Sequence, residues 1–181
     1  SRTWNTSYGA ASLVYEMKNL VAGNAAYSNL DNCGSILLVM MFERITDAYG
    51  DIPYSQALQA KAGVSQPVFD TQESIYKDML DKLATATAAL DATKAAPTAD
   101  LFYGGDISKW KKLGYSLMLR VAMRLTKVDA ATAQKYAEMA YAGGAMSSVT
   151  DDAKVYTDYT NGNGNSDAAA LLVTDDFREV R

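Results

Sequence analysis

Residues 43–58 read Glu43-Arg44-Ile45-Thr46-Asp47-Ala48-Tyr49-Gly50-Asp51-Ile52-Pro53-Tyr54-Ser55-Gln56-Ala57-Leu58. The apolar run at 36–42 continues into this stretch and stops at Gly-Asp-Ile-Pro-Tyr. Gly50 can take a positive φ at a helix end, Pro53 lacks the N–H that another turn needs, and Ile52 before it is pushed towards extended backbone. The stretch therefore predicts a helix over 36–48, buried on most sides, followed by a fixed turn. Within the turn, Asp51 is expected to accept backbone N–H groups near Tyr54 and Ser55. Asp47 sits near a helix C-terminus, where the dipole disfavours an anion, so Arg44 or loop amides are expected to compensate it.

Helix signals dominate on both sides. Upstream, Ala10, Leu13, Val14, Met17, Leu20 and Val21 recur at three- and four-residue spacing, with Thr6 and Ser7 as cap candidates and a polar break at 27–32. Downstream, 63–69 is a loop by composition, and Asp70 reads as an N-cap with Glu73 as the capping-box acid. Ile75, Tyr76, Met79, Leu80, Leu83 and Leu90 follow at helical spacing, with Asp78 and Lys82 as an i,i+4 pair on the outer side. Pro97 and Gly104-Gly105 mark a turn before a helix that starts at Asp106 or Ser108. Ile107, Trp110, Leu113, Gly114, Leu117, Val121 and Leu125 line one face of that helix. Lys109, Lys112, Ser116, Arg120, Arg124 and Lys127 line another, the pattern of a helix packed on one side only. Asp129 caps a fifth helix that carries Tyr136, Ala137, Met139 and Ala140 and stops at Gly143-Gly144.

A polar loop at 158–167 and a short helix at 168–173 complete the pattern, with one short extended piece expected at 154–159. Trp110-x-x-Leu113-Gly114-x-x-Leu117 matches the start of a tetratricopeptide helix, with 135–140 as its partner helix. Any antiparallel helix pair with small residues at its contact would look similar. The fold class expected is all-α, with tetratricopeptide-like antiparallel helix pairs, long irregular loops and one helical domain over 1–181.

Composition narrows the chemistry. The 181 residues are 49% hydrophobic, enough for a real core, and the single Cys33 rules out an internal disulfide. The absence of histidine removes the Ser/His, Cys/His and His–zinc constellations, and no cofactor or metal ligand set is expected. A net charge of −4 argues against nucleic acid as a partner. The apolar run at 36–42 is far shorter than the roughly 20 residues a spanning helix needs. The chain starts without Met and stops at Glu179-Val180-Arg181 without a capping signal, so it is expected to be a piece of a longer protein.

Three blocks in order resemble the SusD/RagB family: ERITDAYGDIPYSQAL at 43–58, PVFDTQESIY at 67–76, and YGGDISKWKK at 103–112 leading into SLMLRVAMRL at 116–125. The likeness spans most of the chain; Leu113-Gly114-Tyr115 stands where the family pattern has Phe-Ala-Asn. The resemblance implies a lipoprotein on the outer face of the Bacteroidetes outer membrane. Such a protein captures glycans, or sometimes peptides, and caps a SusC-type TonB-dependent transporter without catalysing a reaction. The lipid anchor that the family carries on an N-terminal cysteine would precede residue 1, because Cys33 lies too deep between helices.

The ligand-binding candidates are Tyr49 and Tyr54, which flank the turn, together with Trp4 and Tyr103. Aromatic rings stack on the apolar faces of sugars and carry a polar tip, although packing is the competing role for each. Trp110 belongs to the core stripe. The 158–167 loop offers oxygen ligands, but an EF-hand register begun at Asn161 puts Ser166 at the glycine position and Leu172 at the acid position. A solvated loop is the better reading. Asp151-Asp152 and Asp175-Asp176 are adjacent pairs, which cannot converge on one glycosidic bond, and are expected to be caps or exposed charges. Besides nutrient capture, a helical-repeat adaptor that binds a protein and a helical glycoside hydrolase stand as alternatives.

Overall fold

The computed structural model describes residues 2–157 and 160; the expected loop at 158–167, the helix at 168–173, the calcium register and Asp175-Asp176 lie outside the described residues, apart from the backbone of Thr160. Among the described residues five α-helices follow one another: α1 (Arg2–Val21), α2 (Ser28–Tyr49), α3 (Gln72–Ala89), α4 (Ile107–Arg124) and α5 (Ala130–Gly143). Each packs on its sequence neighbour, and α4 also touches α2. One two-residue antiparallel ladder joins β1 (Ile52–Pro53) to β2 (Phe69–Asp70), with Ile52 opposite Asp70 and Pro53 opposite Phe69. The all-α architecture of tetratricopeptide-like helix pairs is thus present. Residues 154–157 form no strand.

The core stripe of α4 is as the spacing predicts, with Ile107, Trp110, Leu113, Leu117, Val121 and Leu125 all buried. Asp106 is its N-cap, accepting from the N–H groups of Ser108 and Lys109, and Asp129 caps α5 through the N–H of Thr132. Among the described residues, no helix is long and apolar enough to cross a membrane.

Four local expectations need correction. The α1 helix begins at Arg2, so Thr6 and Ser7 lie inside it rather than capping it. Its apolar stripe is only partly its buried one: Val21 is buried and Ala10, Val14 and Met17 are half-buried, but Leu13 and Leu20 are 74% and 86% exposed, and Trp4, Tyr8 and Ala11 turn inward beside them. Aromatic bulk takes the interior on this helix. The polar break at 27–32 is mostly helix, because Asn29 is polar for a tertiary reason. Its side-chain amide donates to the carbonyls of Asp91 (2.8 Å) and Ala95 (3.0 Å) and its oxygen accepts from the Asp91 N–H (2.9 Å). The cap of α3 is Thr71, not Asp70, and Glu73 pairs with Lys77 at 2.6 Å instead of closing a capping box.

The charges of the opening stretch are resolved across helices. Glu43, 1% exposed, accepts from Arg120 Nε at 2.9 and 3.1 Å and from Arg120 Nη2. Asp47 is compensated by Arg124 Nη2 at 2.7 Å and by the Tyr76 hydroxyl, not by Arg44 or loop amides. Arg124 Nε also lies 3.8 Å from Glu43.

Gly114 explains how closely α3 and α4 approach. A Cβ built on it would sit 2.1 Å from Thr87 Oγ1, an atom that is buried with no hydrogen-bond partner among the described residues. Gly114→Ala is expected to cost about 1–3 kcal/mol through overpacking. Thr87→Ala in the same chain should recover part of that loss, since it removes the clashing oxygen. Urea denaturation of the four members of this mutant cycle measures both effects, and strictly additive losses would contradict the contact.

Candidate functional site

Three of the four aromatic candidates come together. Tyr49 meets Trp4 edge-on at 5.0 Å between centroids, Trp4 meets Tyr8 at 4.9 Å, Tyr8 meets Phe42 at 5.9 Å, and Phe42 meets Tyr54 at 4.9 Å. Tilted and T-shaped contacts at these distances suit the ring quadrupoles. Tyr8 was not singled out in the sequence, although its i,i+4 spacing from Trp4 is a legible signal. Its hydroxyl donates to the Pro53 carbonyl at 2.7 Å, tying α1 to the turn, and burial followed by the charge of Asp70 pushes the phenol up to about 12.

Tyr103 belongs elsewhere. It packs edge-on against Trp110 at 5.9 Å beside Phe102, and its hydroxyl donates to the Asp151 carbonyl at 2.9 Å. Asp151 is itself buried and paired with Lys112 at 2.8 Å, so the expectation of a cap or an exposed charge fails for this residue. Asp100 organises the cluster by accepting from the N–H groups of Phe102 (2.9 Å) and Gly105 (2.9 Å) and from Trp110 Nε1 (2.7 Å).

Tyr54 is the end of the aromatic series that opens on a concavity. A groove of 350 Å³ is walled by Tyr15, Phe42, Tyr54 and Leu58, with Lys18, Ser35, Ser55, Gln59 and Lys82 supplying polar groups. That volume falls within the range of small-molecule sites, and aromatic walls with a few polar groups are their usual lining. The Tyr54 ring is fixed at its tip: its hydroxyl donates to Asp78 Oδ2 at 2.6 Å and accepts from Lys82 Nζ at 3.1 Å. Burial first, and then the hydrogen bond to Asp78, raise its pKa well above the ordinary phenol value, so it stays a neutral donor. Asp78 and Lys82 do form their ion pair, at 2.7 Å, but the pair also clamps a ring. Leu58 has φ +65, the one positive φ at a non-glycine among the described residues. Strain of this kind is held where surrounding structure imposes it, often at a ligand wall.

A second cavity, of 540 Å³, lies among Met17, Leu30, Cys33, Leu101 and Phe102. Its lining is chiefly apolar, a poor match for a polyhydroxylated ligand. Burial and then the charge of Asp100 push the Cys33 thiol up to about 12, so it is neither a ready nucleophile nor a metal ligand. No group of three or more Cys, Asp or Glu residues able to hold a metal occurs among the described residues.

The turn carrying Tyr54 is closed by two exchanged carboxylates. Asp51 accepts from the Gln72 N–H at 2.9 Å, at the start of α3, rather than from Tyr54 and Ser55. Those two N–H groups go instead to Asp70 Oδ2, at 3.1 and 2.7 Å. The ladder sets Ile52 opposite Asp70 and Pro53 opposite Phe69, which brings each acid to the far strand's end and crosses the acceptors. For Asp70, burial opposes ionisation, but the hydrogen bonds from Ser55 and Tyr54 outweigh it and hold its pKa below the ordinary carboxyl value. A depressed pKa contributes stability that is fully present above the unfolded value of about 3.9 and is lost as pH falls through the folded value. Amide exchange at Tyr54 and Ser55 should therefore quicken on acidification below about pH 4 relative to a helix-core amide such as that of Met118, after correction for intrinsic rates. In Asp70→Asn this differential should vanish; its persistence would assign the effect to another acid.

Residues 1–179 match the SusD-like family model described as "Starch-binding associating with outer membrane". No curated protein matches the chain. Among solved structures, a chitin-binding protein is 34% identical with a TM-score of 0.82, over 90% of this chain and 35% of its own. A Bacteroidetes SusD-like protein, AC2a, is 33% identical with a TM-score of 0.79, over 87% and 29% of the two chains. A chitin-binding SusD homolog from Flavobacterium johnsoniae is 32% identical with a TM-score of 0.73, over 85% and 34%. The chain spans about a third of the length of these relatives. A match running through nearly every residue, joined to the same helical architecture in these structures, means that the chain belongs to the SusD-like family.

Proposed function

We propose that the chain forms one helical unit of a nutrient-binding lipoprotein on the outer surface of the outer membrane. This protein captures a glycan and passes it to a SusC-type TonB-dependent transporter without turning it over. The observation that carries the reading is the groove at Tyr54, where a clamped aromatic ring stands beside hydrogen-bonding side chains. Two relatives solved as chitin-binding proteins support a glycan as the ligand class. Tyr54 supplies the stacking face, Gln59, Ser55 and Lys82 supply hydrogen bonds to hydroxyls, and Trp4 and Tyr49 brace the turn from behind Tyr8 and Phe42. Glycoside hydrolysis generally needs two carboxylates flanking the bond. None lines this groove among the described residues, which supports binding without turnover.

Tyr54→Ala in the intact protein is expected to weaken glycan binding by about tenfold, the equivalent of one stacking contact with its buried area. Gln59→Ala, on the rim, should weaken it by a smaller factor and leave the thermal midpoint unchanged. Calorimetric titration with chitin and starch oligosaccharides measures both, and reducing-end assays of the same mixtures should stay flat. Affinity unchanged in both variants would remove this groove from the binding surface, and sustained release of reducing ends would overturn the non-catalytic reading.

A further inference from the structure

A polar cleft of 570 Å³ lies where the ends of α2 and α4 meet the start of α3, among Asp47, Gln72, Tyr76, Lys77, Arg124 and Asp129. It shares no lining residue with the Tyr54 groove. Its polar groups are held in place by one another. Arg124 is fixed against Asp47 and the buried Glu43, the Tyr76 hydroxyl donates to Asp47, and the Gln72 amide donates to the Thr46 carbonyl at 2.7 Å. Lys77 Nζ bridges Glu73 at 2.6 Å and Asp129 at 3.9 Å. Groups already oriented in this way bind a ligand with little further loss of side-chain entropy.

The lining selects among ligand classes. Three carboxylates, Asp47, Glu73 and Asp129, stand against the two cations Lys77 and Arg124, so the cleft disfavours an anion. The acids are spread between the cations and do not form a set able to hold a metal. What the site offers is hydrogen-bond donors alternating with acceptors, beside the exposed apolar side chain of Val128, with the Tyr76 ring buried behind them. A neutral pyranose meets both requirements: its hydroxyls accept from Arg124 and Lys77 and donate to the carboxylates, and its C–H face covers the apolar surface. We propose that this cleft is a second saccharide subsite, for a neutral sugar unit, on the face of the helix stack that bears the ends of α2 and α4. The inference rests on the glycan-binding reading above.

Calorimetry on the intact protein tests it, with chitotriose and maltotriose as neutral probes and trigalacturonate as the anionic one. Glu73→Gln with Lys77→Ala alters only exposed side chains and leaves the Glu43 and Asp47 pairs intact. This double variant is expected to bind one neutral trisaccharide fewer than the parent, while Tyr54→Ala removes a different one. The parent's cleft should take up no trigalacturonate. A double variant that binds the same number of neutral trisaccharides with unchanged affinity overturns the subsite and leaves the Tyr54 groove standing. Failure of the parent to bind any oligosaccharide overturns both.

Discussion

A carboxylate taken out of water must find its partners within the protein, and Glu43 finds them 77 residues away on α4. Its two oxygens are satisfied by Arg120 and approached by Arg124, and Arg124 in turn reaches Asp47 one turn further along α2. Removing Arg120 would leave the buried carboxylate with Arg124 alone, at 3.8 Å, and because Arg120 is half exposed the cost falls below the roughly 3–5 kcal/mol of a fully buried pair. The pair therefore fixes how α2 and α4 cross. Three further features depend on that arrangement: the seat of α3 beside both helices, the position of Tyr76 over Asp47, and the place where α2 delivers the chain into the turn. An apolar contact of equal area would tolerate sliding, whereas two cations on successive turns of α4 facing two acids on successive turns of α2 accept one register.

Much of this was legible in the sequence, for identifiable reasons. The α4 stripe and its Asp106 cap are local signals, set by 3.6-residue periodicity and by an acid placed before an apolar run. The stop of α2 at Gly50 is equally local, with φ at +75 and a hydrogen bond from the Gly50 N–H to the Thr46 carbonyl. Failures came where a polar residue serves a distant partner. Asn29 reads as a loop residue because its task, holding the chain at 91–95, is invisible from its neighbours. Asp51 reads as a local turn acceptor and Asp70 as a helix cap because sequence proximity is a poor guide across a ladder.

The site was only partly legible. Tyr54 and Trp4 draw notice as loop and terminal aromatics, but their connection runs through Phe42, which belongs to an apolar run, and Tyr8, which the apolar periodicity does not single out. Lys82 reads as half of a surface ion pair, and only the fold reveals that the pair also holds the tip of a ring. Tyr103 illustrates the opposite case. It looks like a binding residue beside Gly104-Gly105, yet its ring and hydroxyl are committed to Trp110 and to the Asp151 carbonyl. A lone aromatic in a loop is ambiguous until its polar tip is traced to a partner.

The crossed carboxylates of the turn also bear on how this surface can diversify. Asp70 grips Tyr54 and Ser55 while Asp51 grips the first N–H of α3, so the segment between them is clamped at its two ends by the same pair of acids. Inside the clamp, residues 56–68 contribute Ala57, Leu58 and Gln59 to the groove, and they are tied to the helices by the buried Ala57, by Leu58 against the core and by the ion pair of Lys61 with Glu16 on α1. Lengthening a loop whose ends are already closed costs only about 0.6 kcal/mol per doubling. Insertions after Leu58 spare the buried Ala57 and leave only the exposed Lys61–Glu16 pair to α1 to be rearranged. One scaffold can in this way present many different groove walls, with the clamp acting as a fixed socket and the loop as an exchangeable fitting.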